Sequence, residues 1–572
     1  MGSKLGRSNQ SFTRLGSLIQ DRIGFSRQAG LWMLVLSIVT VSVILRFNNL
    51  AGEVYWGDEV YSSLRIFGHT TQALRETIAQ GIPVSAQVVQ SFQALVPSQG
   101  IPTTLQSLAL EDAHLAPLYF VLARIWSNYF GDSVGSLRSL SVIFGLLLIP
   151  GTYYLASELF STLLNKPTAK MQPMSTEVSR RAVQAMAQWA MVLVAVSPLQ
   201  LLAAREARFY SLWVLTTVLS SVFLLRALKR PSWIRWGLFT IALTLNFYST
   251  LLGVITFAGY LIYVLIAYWR ERRIIWRFGI ASMSSLLTFA PWIVVFLTRR
   301  IVDNRDTEGR FSVIDGRLAI RNWFALVRRL FIDFDTTPST SALWAIGLTV
   351  VALVGAGLVI YGFRQLLQHS GVRVWLFIVM LIVPLPMYFF TLSLQGLLPS
   401  RYLLPSYIGL QLILAYLLGY KTVQRSRPLP FWSIVMVGIV SIGLLSCAQV
   451  TSTTVWWNKY YSNCNPEIAR IVNQASQPLV ISDGTGGVAF DHGLSNVVSV
   501  ARLVRPETQF QVTLETAPPI SIASGFSDRL VVTPSQILHD RLEQQYPGKL
   551  QPMLELEDPY RGSKVCLWRL LP

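Results

Sequence analysis

The segment Tyr55-Trp56-Gly57-Asp58-Glu59-Val60-Tyr61 sets two adjacent carboxylates among aromatic side chains, just past the first hydrophobic run. Neighbours in sequence point in different directions, so the two acids do not form a pair facing each other across a glycosidic bond. A single base is enough for a transfer whose leaving group is a phosphate, because phosphate departs without a strong acid. Asp58 would then take the proton from an acceptor hydroxyl, and Glu59 would orient that hydroxyl or a nearby cation. The plainer reading is a pair of solvated loop acids.

Three further stretches hold polar groups at similar boundaries. His114 opens His114-Leu115-Ala116-Pro117-Leu118-Tyr119, and Arg138 lies near the outer end of the following hydrophobic span. An arginine there either snorkels or binds a lipid phosphate at headgroup depth. Ser197-Pro198-Leu199-Gln200 is followed by Arg205-Glu206-Ala207-Arg208-Phe209-Tyr210. Ionisable residues at that density are costly in lipid; they serve either as a structural Arg–Glu pair or as an anion site. Arg401-Tyr402, in Pro399-Ser400-Arg401-Tyr402-Leu403-Leu404-Pro405, opens another span. Arginines converging on one point would stabilise the charge that develops on a phosphate leaving group. No metal-ligand spacing is present. The chemistry requires no cofactor, although Glu59 and a phosphate could share a divalent metal.

These residues must be held by membrane helices. Of 572 residues, 52% are hydrophobic and 13% charged, against about 25% charged in soluble domains. Long apolar runs recur from Leu31 to Val450, which excludes a soluble protein and predicts an all-α polytopic membrane protein. The net charge is +19; residues 451–572 carry 10 basic and 11 acidic residues, so the surplus lies in the first 450. It punctuates the hydrophobic spans, as positive-inside loops do, and argues against nucleic-acid binding. The expected layout is a cytoplasmic tail over 1–30 and a membrane domain over 31–450. About eleven spans are expected, up to thirteen, near 31–49, 137–160, 182–202, 208–226, 234–249, 251–269, 275–297, 341–362, 374–394, 402–420 and 431–450.

The first outer loop, 51–136, includes amphipathic stretches near 59–80 and 84–96 and an apolar stretch, 115–130, placed at the interface rather than across it. A second outer loop, 298–340, carries eight arginines against six acids. It either pairs with lipid headgroups or helps to grip an anionic substrate. Residues 451–572 read as a small extracytoplasmic α/β domain. Its expected strands are at Leu479-Val480-Ile481, Val497-Val498-Ser499-Val500 and Leu530-Val531-Val532, and its helices at 467–474 and 535–545. The turn Asp483-Gly484-Thr485-Gly486-Gly487 lacks the spacing of a nucleotide loop. Of the three cysteines, Cys464 and Cys566 could tie the ends of this domain together.

The ordered set Asp58-Glu59, His114-Leu-Ala-Pro-Leu-Tyr119, Ser197-Pro198…Arg205-Glu206-Ala207-Arg208-Phe209-Tyr210 and Arg401-Tyr402-Leu403-Leu404-Pro405 resembles the GT-C membrane glycosyltransferases. Within them it is most similar to the dolichyl-phosphate-mannose protein mannosyltransferases and to the bacterial aminoarabinose transferases of lipid A. The resemblance implies inverting transfer of a sugar from a polyprenyl-phosphate donor to an extracytoplasmic acceptor. The acceptor would be a protein hydroxyl, a glycolipid or a polysaccharide, and the membrane the plasma or inner membrane. Asp58 would be the base. Glu59 would stand beside it, with His114, Arg138, Glu206, Arg208, Tyr210, Arg401 and Tyr402 around the donor's phosphate and sugar. The usual His-Pro-Pro is altered at His114–Pro117, and the usual Gln-Glu-Ala-Arg reads Arg205-Glu206-Ala207-Arg208. The resemblance does not extend to residues 451–572. A transporter or lipid flippase is the alternative, although paired acids in a large outer loop do not follow from it and no two similar halves are visible. A non-catalytic scaffold for envelope assembly would leave Asp58 replaceable.

Overall fold

The computed structural model describes residues 29–161, 176–302, 329, 332–334, 342–393, 400–423, 430–484, 492–513, 521–558 and 562–571. Helix α1 (Ala29–Phe47) leads into the loop over 51–136 that is expected to lie outside. That loop folds as α2 (Gly57–Ile66), α3 (Thr71–Ile78), the two-residue strand β1 (Val84–Ser85), α4 (Ala86–Ser91), α5 (Ile101–Glu111) and α6 (Leu118–Phe130). The membrane part continues with α7 (Val134–Phe160), α8 (Thr176–Ala195), α9 (Pro198–Ala204), α10 (Tyr210–Lys229), α11 (Trp233–Ser249), α12 (Gly253–Ala267) and α13 (Arg272–Val302). It closes with α14 (Ala342–His369), α15 (Val372–Ile382), α16 (Pro384–Ser393), α17 (Leu404–Val423) and α18 (Pro430–Ser452).

All eleven expected spans fall on helices. Only seven of these, among the described residues, are by themselves long and apolar enough to cross a membrane, or eight if the bent pair α8–α9 is one span. The remainder are short: α11 has 17 residues and α12 has 15, and α15–α16 form one apolar stretch, Val372–Tyr388. Helix α6, with 13 residues, is about 20 Å long at 1.5 Å per residue, short of the roughly 30 Å hydrocarbon core.

Two helices form the centre. The apolar windows of Tyr210–Lys229 and Arg401–Val423 are each 83% buried, whereas those of Ile346–His369 and Phe431–Lys459 are 17% buried and form the rim. Close approach uses small residues: a Cβ on Gly419 of α17 would come within 2.5 Å of the Met186 backbone on α8. The 59° bend between α8 and α9 follows from Ser197-Pro198. Proline cannot donate to the preceding turn, and Ser197 Oγ accepts from the Gln200 amide as the new N-cap.

Two arginines stitch the helix ends. Arg46 of α1 donates to the carbonyls of Val194 (3.4 Å) and Ala195 (3.2 Å) at the end of α8. Arg205, just past α9, donates to the carbonyls of Leu45, Arg46, Asn48 and Asn49 at the end of α1, at 3.0, 3.1, 2.7 and 3.2 Å. Both satisfy carbonyls that lack intrahelical partners. At the opposite end of the bundle, Glu158 of α7 pairs with Arg226 (2.7 Å) and Lys229 (3.3 Å) of α10, which gathers basic residues away from Asp58.

The C-terminal part contains α19 (Asn465–Gln474), β2 (Pro478–Ser482), α20 (His492–Ala501), β3 (Gln509–Val512), β4 (Asp528–Val532), α21 (Gln536–Gln545), β5 (Leu550–Asp558) and β6 (Gly562–Leu570). The sheet order is β1-β3-β2-β4-β6-β5. Strand β2 runs parallel to β3 and β4, and β4–β6 and β6–β5 are antiparallel. Every residue of β2 is buried, as expected for a parallel strand covered on both faces. Cys464 and Cys566 form a disulfide, Cα atoms 6.2 Å apart.

Several expectations are corrected. Val497-Val498-Ser499-Val500 is helical, within α20. Its buried Leu494, Val497, Val498 and Ala501 recur at helical spacing, and that period outweighs the strand preference of valine. The stretch expected as a helix over 84–96 starts as β1, which extends the C-terminal sheet: Val84 pairs with Phe510 and Ser85 with Gln509. One core therefore joins Tyr55, Val60, Leu64, Leu74, Ile78 and Val89 of the 51–136 loop to Val480, Phe510, Leu530 and Val532 of the sheet. The boundary drawn at residue 450 divides this core. Helix α2 also stops earlier than the expected 59–80, at Gly68, whose φ of +82° favours glycine.

Candidate active site

Helix α2 begins at the paired acids, and its turn of about 100° per residue separates them. Both sit in the first turn, where the helix dipole favours anions. Glu59 points inward and is fully buried, while the Asp58 side chain keeps 27% exposure.

Glu59 is saturated. Arg138 donates from Nε (2.8 Å) and Nη2 (2.7 Å) to its two oxygens, and the Ala207 amide donates at 2.8 Å. Lys459 Nζ lies 3.9 Å away. Burial alone would raise the Glu59 pKa, but Arg138 and Lys459 outweigh it and hold the carboxyl below its ordinary range. Arg138, fully buried, also donates to the carbonyls of Leu50, Glu53 and Val54. Glu53, buried as well, accepts from Arg205 Nε (2.5 Å) and Lys459 Nζ (2.8 Å). Burial would raise it too, yet Lys459, Arg205 and Arg138 bring its pKa down to about 2. Glu59 and Arg138 thus sit in a closed ion network beneath the site. Their contacts are with protein, and the expected roles in orienting an acceptor and binding donor phosphate are not what those contacts display.

Asp58 faces the other way, towards cations from distant helices. Arg401 Nη2 lies 3.0 Å and Arg208 Nη2 3.8 Å from Asp58 Oδ2. Arg208 is positioned by Ser62 Oγ (2.9 Å) and the Asp58 carbonyl (3.4 Å). Arg401 packs over the Trp56 ring at 4.7 Å and lies 5.7 Å from Tyr210 and 5.9 Å from Tyr402. Tyr210 and Tyr402 meet edge to face at 5.9 Å. Because Arg208 and Tyr210 stand at the start of one central helix, and Arg401 and Tyr402 at the start of the other, the most enclosed part of the bundle fixes their positions.

Six buried polar atoms around Asp58 have no hydrogen-bond partner among the described residues: Trp56 Nε1, Glu206 Oε2, Arg208 Nε, Tyr210 Oη, Arg401 Nε and Asn458 Oδ1. Such atoms are rare in folded proteins, and a cluster of them marks a place for a polar ligand. Glu206 itself accepts a hydrogen bond from Asn458 Nδ2 at Oε1. Burial pushes its carboxyl up to about 7, against the pull of Lys459 and Arg401 and with the help of Glu59 and Asp58.

His114 is placed beside Asp112. Its side chain is 62% exposed and 4.0 Å from that acid, which Arg65 Nε holds at 2.6 Å. Most of the stretch expected as a second outer loop, 298–340, lies outside the described residues. Its described Asp333 accepts from the indoles of Trp456 (2.8 Å) and Trp457 (2.8 Å), and Arg329 lies over the Trp457 ring at 3.7 Å. Among the described residues no group of three or more His, Cys, Asp or Glu could hold a metal ion. Sequence reasoning missed Glu53, Ser62, Asn458 and Lys459 as members of the cluster. For Asn458 and Lys459 the available signal was a polar pair directly after Trp456-Trp457 at the exit of the last span.

Crystal structures of ArnT from Cupriavidus metallidurans match nearly the whole chain. The apo structure aligns with a TM-score of 0.50 at 11% identity, over 95% of this chain and 98% of that one. The structure bound to undecaprenyl phosphate aligns at 0.49 and 12% identity, over 94% and 98%. At such identity the shared property is the fold, and it is the fold that the ordered motifs implied. No protein-family model and no curated protein matches the sequence.

Proposed function

We propose that this chain is an integral-membrane glycosyltransferase that moves a sugar from a polyprenyl-phosphate donor to a hydroxyl acceptor outside the cytoplasm, with inversion. The observation that carries the reading is the ion pair of half-exposed Asp58 with Arg401, and Arg208 beside it, within a cluster of unpartnered polar atoms. Two arginines and an aromatic wall suit an anionic sugar phosphate.

The arrangement supports a simple sequence of events. Before donor binds, Asp58 holds Arg401 and Arg208 in place. The donor phosphate competes for both guanidinium groups and frees the Asp58 carboxylate to accept a proton from the acceptor hydroxyl. As the acceptor oxygen bonds to the anomeric carbon, the bond from that carbon to the phosphate oxygen breaks. The arginines stabilise the charge gathering on phosphate. Glu206, Tyr210 and Tyr402 line the donor's polar head. The exposed His114 stands outside the reacting centre, where it would meet the acceptor.

The test offers purified protein a panel of radiolabelled polyprenyl-phosphate sugars with membrane extracts as acceptor, alongside Asp58→Asn. Transfer by the wild type and none by a variant that still binds donor is the expected result. Equal transfer by both proteins would remove Asp58 from the mechanism.

A further inference from the structure

The carboxyl groups behind Asp58 are sorted by their partners. Glu53 has two cations within 2.8 Å, and Glu59 has a bidentate arginine and a backbone amide. Glu206, only 3% exposed, has no cation within 4 Å among the described residues. The one hydrogen bond to its carboxyl among the described residues comes from the neutral amide of Asn458. An ionised carboxylate so placed would have one neutral donor for two oxygens, an expensive state in a buried site. The two orphan atoms Glu206 Oε2 and Asn458 Oδ1 belong to side chains already joined through Oε1 and Nδ2. No donor among the described residues stands ready to stabilise a charge on Oε2, whereas a protonated Oε2 would be a free O–H donor towards a ligand.

We infer that Glu206 is held as a neutral carboxylic acid and gives its proton to the carrier phosphate as that phosphate departs. The inference rests on the donor reading above. The step balances. The acceptor O–H bond breaks, and its proton goes to Asp58. The electron pair of the broken sugar–oxygen bond stays on the phosphate oxygen, which takes the Oε2 proton of Glu206. The carrier therefore leaves as a monoanion rather than a dianion, and one proton passing from Asp58 to Glu206 through solvent restores the starting state. The burial that raises the Glu206 carboxyl also keeps the proton available near neutral pH.

The experiment measures binding of undecaprenyl phosphate to the full chain in detergent from pH 6 to pH 9, for wild type and Glu206→Gln. The charged groups facing Glu206 (Lys459, Arg401, Glu59 and Asp58) are common to both proteins, as is the phosphate's own second ionisation near pH 6. Wild-type affinity is expected to fall by up to about tenfold per pH unit above 7 as Glu206 loses its proton, whereas the glutamine variant shows no such fall. In transfer assays the variant is expected to lose kcat by about tenfold or more with little change in KM, because an amide donates a hydrogen bond but no proton. Wild-type affinity that stays level from pH 7 to 9 while transfer persists would overturn the role of Glu206 alone, and this arm needs no variant to fold. An unchanged kcat in the variant would do the same. If neither protein bound undecaprenyl phosphate nor transferred from any donor, the donor reading itself would fall and the inference with it.

Discussion

Two ion clusters lie back to back across the first turn of α2, built from the same residue types. The inner one, formed by Glu53, Glu59, Arg138, Arg205 and Lys459, is closed: every carboxylate meets cations and each arginine also meets backbone carbonyls. The outer one, formed by Asp58, Arg208, Arg401 and Glu206, is open: its pairs are longer or half-exposed and several polar atoms lack partners. Completeness of partnership, rather than the presence of charge, separates the frame from the working site. A buried pair that loses one member is costly, whereas an open pair can exchange its partner for a ligand.

The contrast breaks most sharply at Arg138 and Asp58. Arg138→Met leaves Glu59 buried beside an apolar side chain and is expected to cost about 3–5 kcal/mol, seen as a large drop in the thermal midpoint or loss of folded protein in detergent. Asp58→Asn is expected to leave that midpoint nearly unchanged and to lower transfer by about 10²–10⁴-fold. If both substitutions unfolded the protein, the distinction between frame and site would fail.

The same contrast has opposite pH signatures. The Glu53 and Glu59 pKa values lie below their ordinary range, so their stabilisation is present above about pH 4.5 and is lost as pH falls through the lowered values, about 2 for Glu53. Glu206 is raised from 4.5 to about 7, so the stability it contributes is complete below about pH 4.5 and is lost as pH rises through 7. Glu206→Gln is therefore expected to be more stable than wild type at pH 8, by up to about 3 kcal/mol, with the advantage vanishing near pH 5. Unfolding midpoints at the two pH values measure it. A smaller effect is expected at Arg401→Lys, which keeps the charge but not the planar fork over Trp56. About tenfold weaker binding of the carrier phosphate is expected from titration with undecaprenyl phosphate, with little change in stability.

Much of this was legible in the sequence. The apolar periodicity located the helices, and the outer members Asp58, Arg208, Arg401 and Glu206 were named because charged residues at span ends are costly and therefore conspicuous, with Tyr210 and Tyr402 named through the motifs they share with Arg208 and Arg401. The closed cluster was less legible. Nothing in the sequence ties Glu53 to Arg205, or Lys459 to either acid, because these partners meet only when four elements are packed together. Arg138 and Glu59 were named for the same reason as Asp58, and only the geometry of α2 shows that they face inward. The sharing of one sheet between the 51–136 loop and the C-terminal part was also hidden. A two-residue strand such as Val84–Ser85 has no pattern of its own; its identity comes from Phe510 and Gln509 beside it.

That shared core gives the least disruptive test of the contrast. Ser499, fully buried on α20, donates from Oγ to the Tyr55 carbonyl at 2.5 Å, and Arg502 lies 4.9 Å from the centre of the Tyr55 ring. Tyr55 in turn donates to the carbonyl of Glu59 at 2.9 Å. The C-terminal part therefore grips the chain three residues before Asp58 and is one bond removed from the turn that carries both acids. Ser499→Ala leaves the Tyr55 carbonyl without that donor, which costs about 1–3 kcal/mol. If the C-terminal part merely packs against the loop, the loss will appear in the thermal midpoint alone. If it sets the angle at which α2 presents Asp58, kcat will fall severalfold while undecaprenyl phosphate binding, which depends on Arg208 and Arg401, holds. We expect the second result, because the bonds from Ser499 through Tyr55 to Glu59 end on the closed cluster, whose rigidity fixes where Asp58 points.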